Sequence, residues 1–381
     1  MIDSVDADQR VRRRRRRDAV RRRRLRLGVA ALVAFVAGAV LGAGGGGDEP
    51  GRGRPAAASE PAQQARAAVD RLSLEQQVGH MVILRFEGTQ PPGYVRRAVR
   101  QGRVAGVILF RDNVVSPGQM RQLTRALPGA IVCVDQEGGD VRTLSWAAPA
   151  GTAAEQEAAG TVREDARSGA RDLKAAGVNV TLAPVADVPS VDGAALAGRA
   201  FSSDPEDAAR AVTEAIEGWH DGGVATTVKH FPGLGGATVN TDDGPATIKR
   251  SEAELEADLA PFKAAIAAGT EYVMTGHATY PALDGLHIAS QSPAIIDGLL
   301  RHDLGFDGVV MTDSLEAAAV QAVGDVEEAA VASAQAGVDL ILTTGRGSYI
   351  HVYRALLAKA RQDPEFRRRV RASAARVLAA Q

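Results

Sequence analysis

Short apolar runs alternate along the chain with longer segments that are rich in alanine and charged residues. Eight of the apolar runs are predicted to be strands: Val78–Phe86, Val104–Phe110, Ala130–Val134, Val178–Leu182, Val224–Val228, Tyr272–Met274, Gly308–Met311 and Val338–Leu342. Continuous apolar runs are typical of strands that are buried on both faces, and alternation with helical segments indicates parallel βαβ units. Eight such units predict an α/β fold of the (β/α)₈ TIM-type barrel class.

A doubly wound α/β sheet is the alternative arrangement for the same pattern. That fold usually carries a glycine-rich phosphate turn after its first strand, and Phe86-Glu87-Gly88-Thr89 is not such a turn. A last helix is predicted over Glu365–Ala380, which leaves little chain for a second domain. We therefore predict a single catalytic domain over residues 66–381.

The N-terminal residues differ in charge from the rest of the chain. Residues 1–26 contain twelve arginines and four acidic residues, whereas the whole chain has a formal net charge of −1, so the remainder is acidic. An acidic body argues against nucleic acid as its partner. We predict a basic cytoplasmic segment over 1–26, a transmembrane anchor or signal-peptide core over 27–43 and a flexible linker, rich in Gly, Pro and Ala, over 44–65.

Three interpretations of the basic and apolar N-terminal segments compete. A membrane anchor needs about 20 apolar residues, a length that is reached only if the glycines to Gly47 are included. A cleaved signal peptide needs a shorter core and a small-residue cleavage site, which Ala37-Gly38-Ala39 offers. The third interpretation, a nucleic-acid-binding arm, is disfavoured by the apolar run. The only cysteine, Cys133, lies far along the chain, so no internal disulfide forms and no lipid-bearing cysteine follows the apolar run. Anchored or secreted, the body is expected outside the cytoplasmic membrane.

Polar residues stand at or just past the ends of the predicted strands. They are Asp135, Asp187, Lys229, His230, His277 and Asp313. Catalytic groups of parallel barrels gather at the C-terminal ends of the strands, so we expect these side chains to ring one mouth. Lys229-His230 is followed by a proline and three glycines, a pliable loop that can carry polar groups to a substrate.

The residue types at these positions suit a sugar site. Acidic groups in Asp135-Gln136-Glu137-Gly138-Gly139 can accept hydrogen bonds from sugar hydroxyls, and Arg199 can donate a fork of hydrogen bonds. Asp204-Pro205 is predicted to start a helix. For Asp313, two interpretations stay open at this point: it caps the following helix, or it is a nucleophile that carries a covalent intermediate.

The chain resembles glycoside hydrolase family 3, in the single-domain branch typified by bacterial β-N-acetylglucosaminidases. The similarity spans roughly Leu72 to Leu342. The motifs that carry it are Gly106-Val107-Ile108-Leu109-Phe110, Asp135-Gln136-Glu137-Gly138-Gly139, Leu182-Ala183-Pro184-Val185-Ala186-Asp187-Val188, Gly198-Arg199-Ala200-Phe201, Lys229-His230-Phe231-Pro232-Gly233 and Met311-Thr312-Asp313.

The resemblance implies a retaining β-glycoside hydrolase, most simply a β-N-acetylglucosaminidase that acts on cell-wall-derived glycans. It implies Asp313 as the nucleophile, and it places the cleaved sugar against five positions. These are Asp135, Arg199, Lys229, His230 and His277. The implied partner is a carbohydrate that contains N-acetylglucosamine, and no organic cofactor and no metal is implied.

The proton donor departs from the family pattern. The family has Asp-Ser-His on the loop after the Lys-His pair, and this chain has Asn240-Thr241-Asp242 there. Asp242 is our candidate for the acid/base, because a carboxyl group with a raised pKa is the common donor in other glycosidases. Two alternatives stay open: Asp243 or another residue has the role, or the protein binds sugar without cleaving it.

Three further function classes share some of these sequence features. A metal hydrolase would need clustered His and carboxylate ligands, and no His-x-His pair marks the first strand. A sugar-binding or cell-wall-binding homologue would share every feature except the need for the nucleophile and the acid. A phosphorylase would use the same nucleophile, with phosphate in place of water. The sugar, the linkage and the oligomeric state are not given by the sequence.

Overall fold

A computed structural model describes residues 60–381, which form one compact unit. The predicted basic segment (1–26), the predicted anchor or signal core (27–43) and most of the predicted linker lie outside these residues. Within the described range, no helix combines the length and the apolar character that crossing a membrane requires.

Eight parallel strands form the centre of the fold. They are β1 (Val82–Arg85), β2 (Gly106–Ile108), β3 (Ile131–Val134), β4 (Val180–Thr181), β5 (Ala225–Phe231), β6 (Tyr272–Thr275), β7 (Val309–Thr312) and β8 (Ile341–Leu342). Strands β1 to β7 pair in chain order, and β8 pairs with β1. A single parallel bridge between Met311 and Leu340 joins the two ends of the sheet. The sheet is therefore a nearly closed barrel, as the (β/α)₈ prediction requires.

Helices surround the strands on the outside. The α-helices are α1 (Glu60–Val69), α2 (Leu74–Gly79), α3 (Gly93–Arg100), α4 (Pro117–Arg125), α5 (Ala153–Ala159), α6 (Val162–Ala176), α7 (Pro205–Gly222), α8 (Glu252–Asp258), α9 (Ala260–Ala267), α10 (Ala318–Gln321), α11 (Val326–Ala336), α12 (Ser348–Gln362) and α13 (Pro364–Ala379). A π-helix over Ala294–Asp303 precedes β7. Two short antiparallel hairpins add to the barrel, one of Gln136–Gly138 with Val141–Arg142 and one of Thr279–Tyr280 with Asp284–Ile288.

Two layers of apolar side chains hold the strands. Alternate residues point into the barrel, where Ile83, Cys133 and Met311 belong to one buried cluster. Their neighbours Val82 and Val310 point outward into the larger core beneath the helices. Because both faces of the strands are buried in this way, most of their residues are apolar, which explains the continuous apolar runs in the sequence.

Side-chain caps set several helix starts. Ser73 begins α2 with a capping box, in which its hydroxyl accepts from the Gln76 N–H and the Gln76 side chain accepts from the Ser73 N–H. The helix start predicted at Asp204-Pro205 is confirmed, because the Asp204 carboxylate accepts from the amides of Glu206 and Asp207 at 2.9 and 3.0 Å. The last predicted helix agrees with α13 to within one residue at each end.

Several predicted bounds were wrong, among them the start of the last strand, which was predicted at Val338 and lies at Ile341. The first strand was predicted from Val78, but Val78 lies in the last turn of α2. The capping box at Ser73 starts this helix, and its buried residues are followed closely by the apolar residues of β1, so the sequence shows one continuous apolar run. The linker was predicted to reach residue 65, but α1 begins at Glu60 and buries Ala65 and Val69. The fifth strand was predicted to end at Val228, but β5 continues to Phe231.

Candidate active site

The end of β5 presents Lys229 and His230 at the C-terminal face of the barrel. The His230 Nδ1–H donates to the Asp187 carboxylate at 2.7 Å, and the other Asp187 oxygen accepts from the backbone amides of His230 and Leu234. Asp187 is completely enclosed, so it fixes both the imidazole and the start of the loop that follows β5. The ring's Nε2 is thereby directed towards the mouth.

Lys229 lies at the centre of an ion network that the sequence did not reveal in full. Its Nζ lies 2.6 Å from an oxygen of Asp135 and 2.6 Å from one of Glu137. Arg199 binds Glu137 with two hydrogen bonds of 2.8 and 2.7 Å. The Lys229 side chain is 2% exposed and that of Glu137 5%, whereas those of Asp135 and Arg199 are 25% and 24% exposed. The two inner charges thus hold the two outer ones at the mouth.

The network favours the charged forms of Glu137, Lys229 and Arg199. Burial alone would raise the pKa of Glu137, but Lys229 and Arg199 outweigh it and lower that pKa to about 2. Burial likewise opposes the charge of Lys229, yet Asp135 and Glu137 raise its pKa above the usual lysine value. Two positive and two negative charges leave the network neutral, which suits an uncharged sugar rich in hydroxyl groups.

Asp313 directly follows β7, on the side of the mouth that faces His230. Its backbone N–H donates to the carbonyl of Thr275, and its Oδ1 accepts from the Ser314 N–H at 2.7 Å. Its Oδ2 lies 3.8 Å from Nε2 of His230, and the side chain is 20% exposed. Burial raises the pKa of Asp313, but the imidazoles of His230 and His277 and the Ser314 amide outweigh this, and the net pKa lies below the usual aspartate value. The group is therefore an accessible carboxylate.

The helix-cap interpretation of Asp313 does not agree with these contacts. The carboxylate accepts only from the next residue's amide among the hydrogen bonds of the described chain, and α10 begins later, at Ala318, without a side-chain cap. The other oxygen points towards His230. The side chain is thus available for chemistry at the mouth.

His277 follows β6 and is completely buried. Its Nε2–H donates to the Ser314 carbonyl at 3.0 Å, and its Nδ1 accepts from the Ser290 hydroxyl at 2.8 Å. Both ring nitrogens are therefore engaged by the protein, so the geometry gives His277 the task of positioning the segment that carries Asp313. The direct sugar contact expected at this residue stays a prediction that these contacts do not favour.

Asp242 lies on the loop after β5, and that loop reaches across to the segment after β7. The carbonyls of Thr241 and Asp242 accept from the amides of Ala319 and Ala318 at 3.0 and 3.1 Å. The Asp242 residue is exposed, and its backbone amide and carboxylate interact with the Asn240 side chain. Partial burial of the carboxyl and the negative charge of Asp313 raise the pKa of Asp242. The loop thus brings a second carboxyl group to the mouth, and its pKa is raised whereas that of Asp313 is lowered.

A glycine allows the loop to pack where it does. A Cβ on Gly235 would lie 1.7 Å from the carbonyl oxygen of Val188, so only glycine fits against the segment after β4. The amide of Ser190 donates to the Gly235 carbonyl at this contact. The glycines after the Lys-His pair therefore dock the loop.

Several residues of the mouth were missing from the sequence-based candidates. Ser314 contacts Asp313 through its amide and His277 through its carbonyl, while its hydroxyl lies 2.6 Å from that of Thr344. Glu316 accepts from the Thr344 amide at 2.7 Å. Glu137 appears in the sequence analysis only as one acid of a motif, although the charges at the strand ends suggest that it lies beside Lys229 and Arg199. Among residues 60–381, no group of His, Cys, Asp and Glu is arranged to hold a metal ion.

Comparison with known proteins places these residues in a family context. The profile of the family described as "Glycosyl hydrolase family 3 N terminal domain" matches residues 73–380. An uncharacterised secreted glycosyl hydrolase of Arthroderma benhamiae is 34% identical over 296 residues, which cover 73% of this chain and 84% of that protein.

Two further proteins carry the similarity to named enzymes. A β-hexosaminidase of Stenotrophomonas maltophilia is 34% identical over 278 residues, which cover 69% of this chain and 82% of that protein. The solved structure of a β-N-acetylglucosaminidase from Paenibacillus sp. superimposes with a TM-score of 0.78 at 35% identity. That alignment covers 81% of this chain and 62% of the solved one, so this chain spans about three fifths of that longer protein.

Proposed function

Because the chain belongs to glycosyl hydrolase family 3, we propose that it is a retaining β-N-acetylglucosaminidase in which Asp313 bonds to the sugar. The chain is a glycoside hydrolase that acts on glycans containing N-acetylglucosamine. The observation that supports the residue assignment is the position of Asp313, an accessible carboxylate opposite a fixed imidazole and a neutral ion network. Cell-wall-derived glycan remains our proposal for the natural source of the substrate.

Asp313 is the nucleophile of the first step. Its carboxylate attacks the anomeric carbon while the bond from that carbon to the leaving oxygen breaks, which leaves the sugar covalently bound to Asp313. The Ser314 amide holds one carboxylate oxygen, so the other, facing His230, is the attacking atom. The lowered pKa of Asp313 keeps this group ionised.

Asp242 is the acid in the first step and the base in the second. As an acid, it gives its proton to the leaving oxygen; as a carboxylate, it then takes a proton from the water that attacks the anomeric carbon and releases Asp313. The negative charge of Asp313 favours the protonated form of Asp242, as the acid role requires. Formation of the glycosyl bond to Asp313 removes that charge, which lowers the pKa of Asp242 again and favours its deprotonated form, the base of the second step.

The ion network binds the sugar that is cleaved. Asp135 and Arg199 are the members with partly exposed side chains, and they can accept from and donate to hydroxyl groups. Lys229 and Glu137 fix them in place, while His230 lies between this network and Asp313. Pre-positioned partners of this kind hold the sugar with its anomeric carbon near the nucleophile.

A panel of aryl glycosides, with and without phosphate, tests the proposed activity. We expect release of 4-methylumbelliferone from its β-N-acetylglucosaminide, with little release from the glucoside or xyloside. The rate should not depend on phosphate, and the Asp313→Ala variant should be inactive. A rate that requires phosphate would make the protein a phosphorylase, and no release from any glycoside would support a sugar-binding protein instead.

The location of the protein is a separate proposal. We propose that the body acts outside the cytoplasmic membrane, because the basic and apolar segments over 1–26 and 27–43 have the order of an anchor or signal peptide, and a similar protein is named as secreted. Fractionation with N-terminal mass spectrometry tests it. An intact N-terminus in the membrane fraction indicates an anchor, a cleaved one in the medium indicates a signal peptide, and a cytoplasmic body contradicts both.

A further inference from the structure

One pocket at the mouth of the barrel has no part in the mechanism above. It lies where β1 and β8 end, between Arg85, Tyr94 and Thr344, and its volume is about 230 Å³. A cavity of this size has room for one sugar ring. We propose that this pocket, the rim pocket, is the binding site for the saccharide that leaves. This inference rests on the proposed function.

The rim pocket is close to the nucleophile. Thr344 forms its inner wall, and the Thr344 hydroxyl lies 2.6 Å from that of Ser314, whose amide holds Asp313. The ion network is attached to β5 and to the segments after β3 and β4, across the barrel from β8 and β1. A substrate that runs from the network past Asp313 therefore reaches the rim pocket next.

An aromatic side chain forms the outer wall. Tyr94 is 43% exposed, and its ring stacks on that of Tyr349 with centroids 6.4 Å apart and planes inclined by 11°. The apolar C–H face of a sugar ring packs well on such a surface. Because Tyr349 already holds the Tyr94 ring, little side-chain freedom is lost when a sugar binds.

Arginine supplies hydrogen-bond donors. The Arg85 guanidinium lies over the Phe110 ring at 4.9 Å, and one of its terminal nitrogens lies 3.5 Å from Asp112, with 35% of the Arg85 side chain exposed. Arg346, at the open side, faces Glu87 at 3.3 Å, and both side chains are largely exposed. The exposed N–H groups of the two arginines can donate to oxygen atoms of a ligand. The class of ligand that meets these walls is an oxygen-rich saccharide with one apolar face.

The inner wall is formed before any ligand binds. Glu316 accepts from both the amide and the hydroxyl of Thr344, at 2.7 and 3.1 Å. A Cβ on Gly345 would lie 2.7 Å from Glu316, so the chain passes this carboxylate as closely as glycine allows. The pocket is therefore a fixed feature of the barrel rim.

Two substrates with the same cleaved sugar and different leaving groups test the proposal. N,N′-Diacetylchitobiose carries a leaving sugar, whereas N-acetylglucosaminyl fluoride carries an atom too small to reach the rim pocket. We expect Tyr94→Ala and Arg85→Met each to lower kcat/KM for the disaccharide, relative to that for the fluoride, by about tenfold, as the loss of one contact of ordinary strength implies. Arg96→Met is the matched control, because Arg96 is exposed on α3 and does not line the pocket.

The outcomes separate this inference from the proposed function. If Tyr94→Ala and Arg85→Met leave the ratio of kcat/KM for the disaccharide to kcat/KM for the fluoride unchanged, the rim pocket does not bind the leaving sugar. If Arg96→Met changes the ratio as much as they do, the effect does not come from the pocket, and the inference is again wrong. A wild-type protein that turns over neither substrate overturns the proposed function and the assignment of a leaving sugar together.

Discussion

Asp242 is the residue on which the chemistry of this chain departs from the family pattern. We expect Asp242→Ala to slow cleavage of a substrate with a poor leaving group by about 10²–10⁴-fold, because such a leaving oxygen needs a proton. A dinitrophenyl glycoside needs no proton and should be affected less in the first step. Added azide should restore turnover and give the β-glycosyl azide, since it attacks the covalent intermediate without a base.

Asp243→Ala is the control for that experiment, because Asp243 is the neighbouring exposed carboxylate on the same loop. It should behave like the wild-type protein on both substrates. If Asp243→Ala shows the dependence on the leaving group and Asp242→Ala does not, the acid is Asp243. Equal losses on both substrates, without rescue by azide, would exclude Asp242 as the acid.

The two carboxyl groups also predict the pH profile. Activity needs Asp313 ionised, and its lowered pKa places the rise of kcat/KM at acidic pH. Activity also needs Asp242 protonated, and its raised pKa moves the fall of kcat/KM to higher pH than an ordinary aspartate would give. The profile measured on a substrate with a poor leaving group should be bell-shaped. In Asp242→Ala the alkaline fall should disappear, and a fall that persists unchanged would assign it to another group.

Single residues were predicted from the sequence where they stand at the ends of apolar runs. Lys229, His230 and Asp313 were found in this way, since the strand-end rule needs only the pattern. Their partners Asp135 and Asp187 were found by the same rule, whereas Ser314 and Thr344 were not, because they are ordinary residues that matter only through the side chains that the barrel brings together. His277 was found, but its burial and its two protein partners could not be read from the chain.

At the scale of elements, the end of β5 joins the catalytic side of the mouth to its binding side. The apolar pattern stops at Val228, yet the strand continues through Lys229 and His230. Polar residues can be enclosed there because Asp135 and Glu137 lie at contact distance from Lys229, and Asp187 accepts a hydrogen bond from His230. A pattern of hydrophobic positions cannot show this compensation, and it therefore ended the strand too early.

The ion network around Glu137 predicts a dependence of stability on pH. A pKa lowered from 4.5 to about 2 means that the folded protein favours ionised Glu137 by on the order of 3 kcal/mol. At neutral pH, Glu137→Gln should therefore lower the free energy of unfolding by about this amount. As the pH falls from 4.5 towards 2, the wild-type advantage should shrink, because protonation of Glu137 removes it.

Chemical denaturation at several pH values measures this difference. Glu252→Gln is the matched control, because Glu252 is an exposed glutamate on α8 outside the site, and it should change stability little at any pH. A difference between wild type and Glu137→Gln that stays constant across the acidic range would show that the charge of Glu137 does not stabilise the fold.

At the scale of the whole molecule, the order of apolar runs was enough to predict the barrel. All eight predicted strands overlap the observed ones, because burial on both faces makes most of the strand residues apolar. The predicted bounds were wrong where a helix is followed closely by a strand, as at Val78. They were also wrong where a helix begins inside a segment rich in Gly, Pro and Ala, as at Glu60. Barrel closure brings the end of β7 beside the end of β8, so Ser314, next to Asp313, contacts Thr344 of the rim pocket, which no local pattern shows.

The fold as a whole also explains why one domain suffices for the chemistry that we propose. The loop after β5 packs on the start of α10 through the backbone carbonyls of Thr241 and Asp242, and we propose that this contact brings the Asp242 carboxyl group to the nucleophile that follows β7. Both groups therefore come from a single barrel, and their approach depends on the glycine contact that docks the loop.

The most direct test of the account is mass spectrometry of the covalent intermediate. A 5-fluoro analogue of N-acetylglucosaminyl fluoride should glycosylate the protein in the first step. Hydrolysis of the resulting covalent intermediate should be slow, so that the sugar remains bound. We predict that the protein gains the mass of one fluorinated sugar, that the label lies on the peptide containing Asp313, and that Asp313→Ala gains no mass. Turnover of the unmodified substrate without any such adduct, or an adduct on a different residue, would contradict the central claim that Asp313 bonds to the sugar.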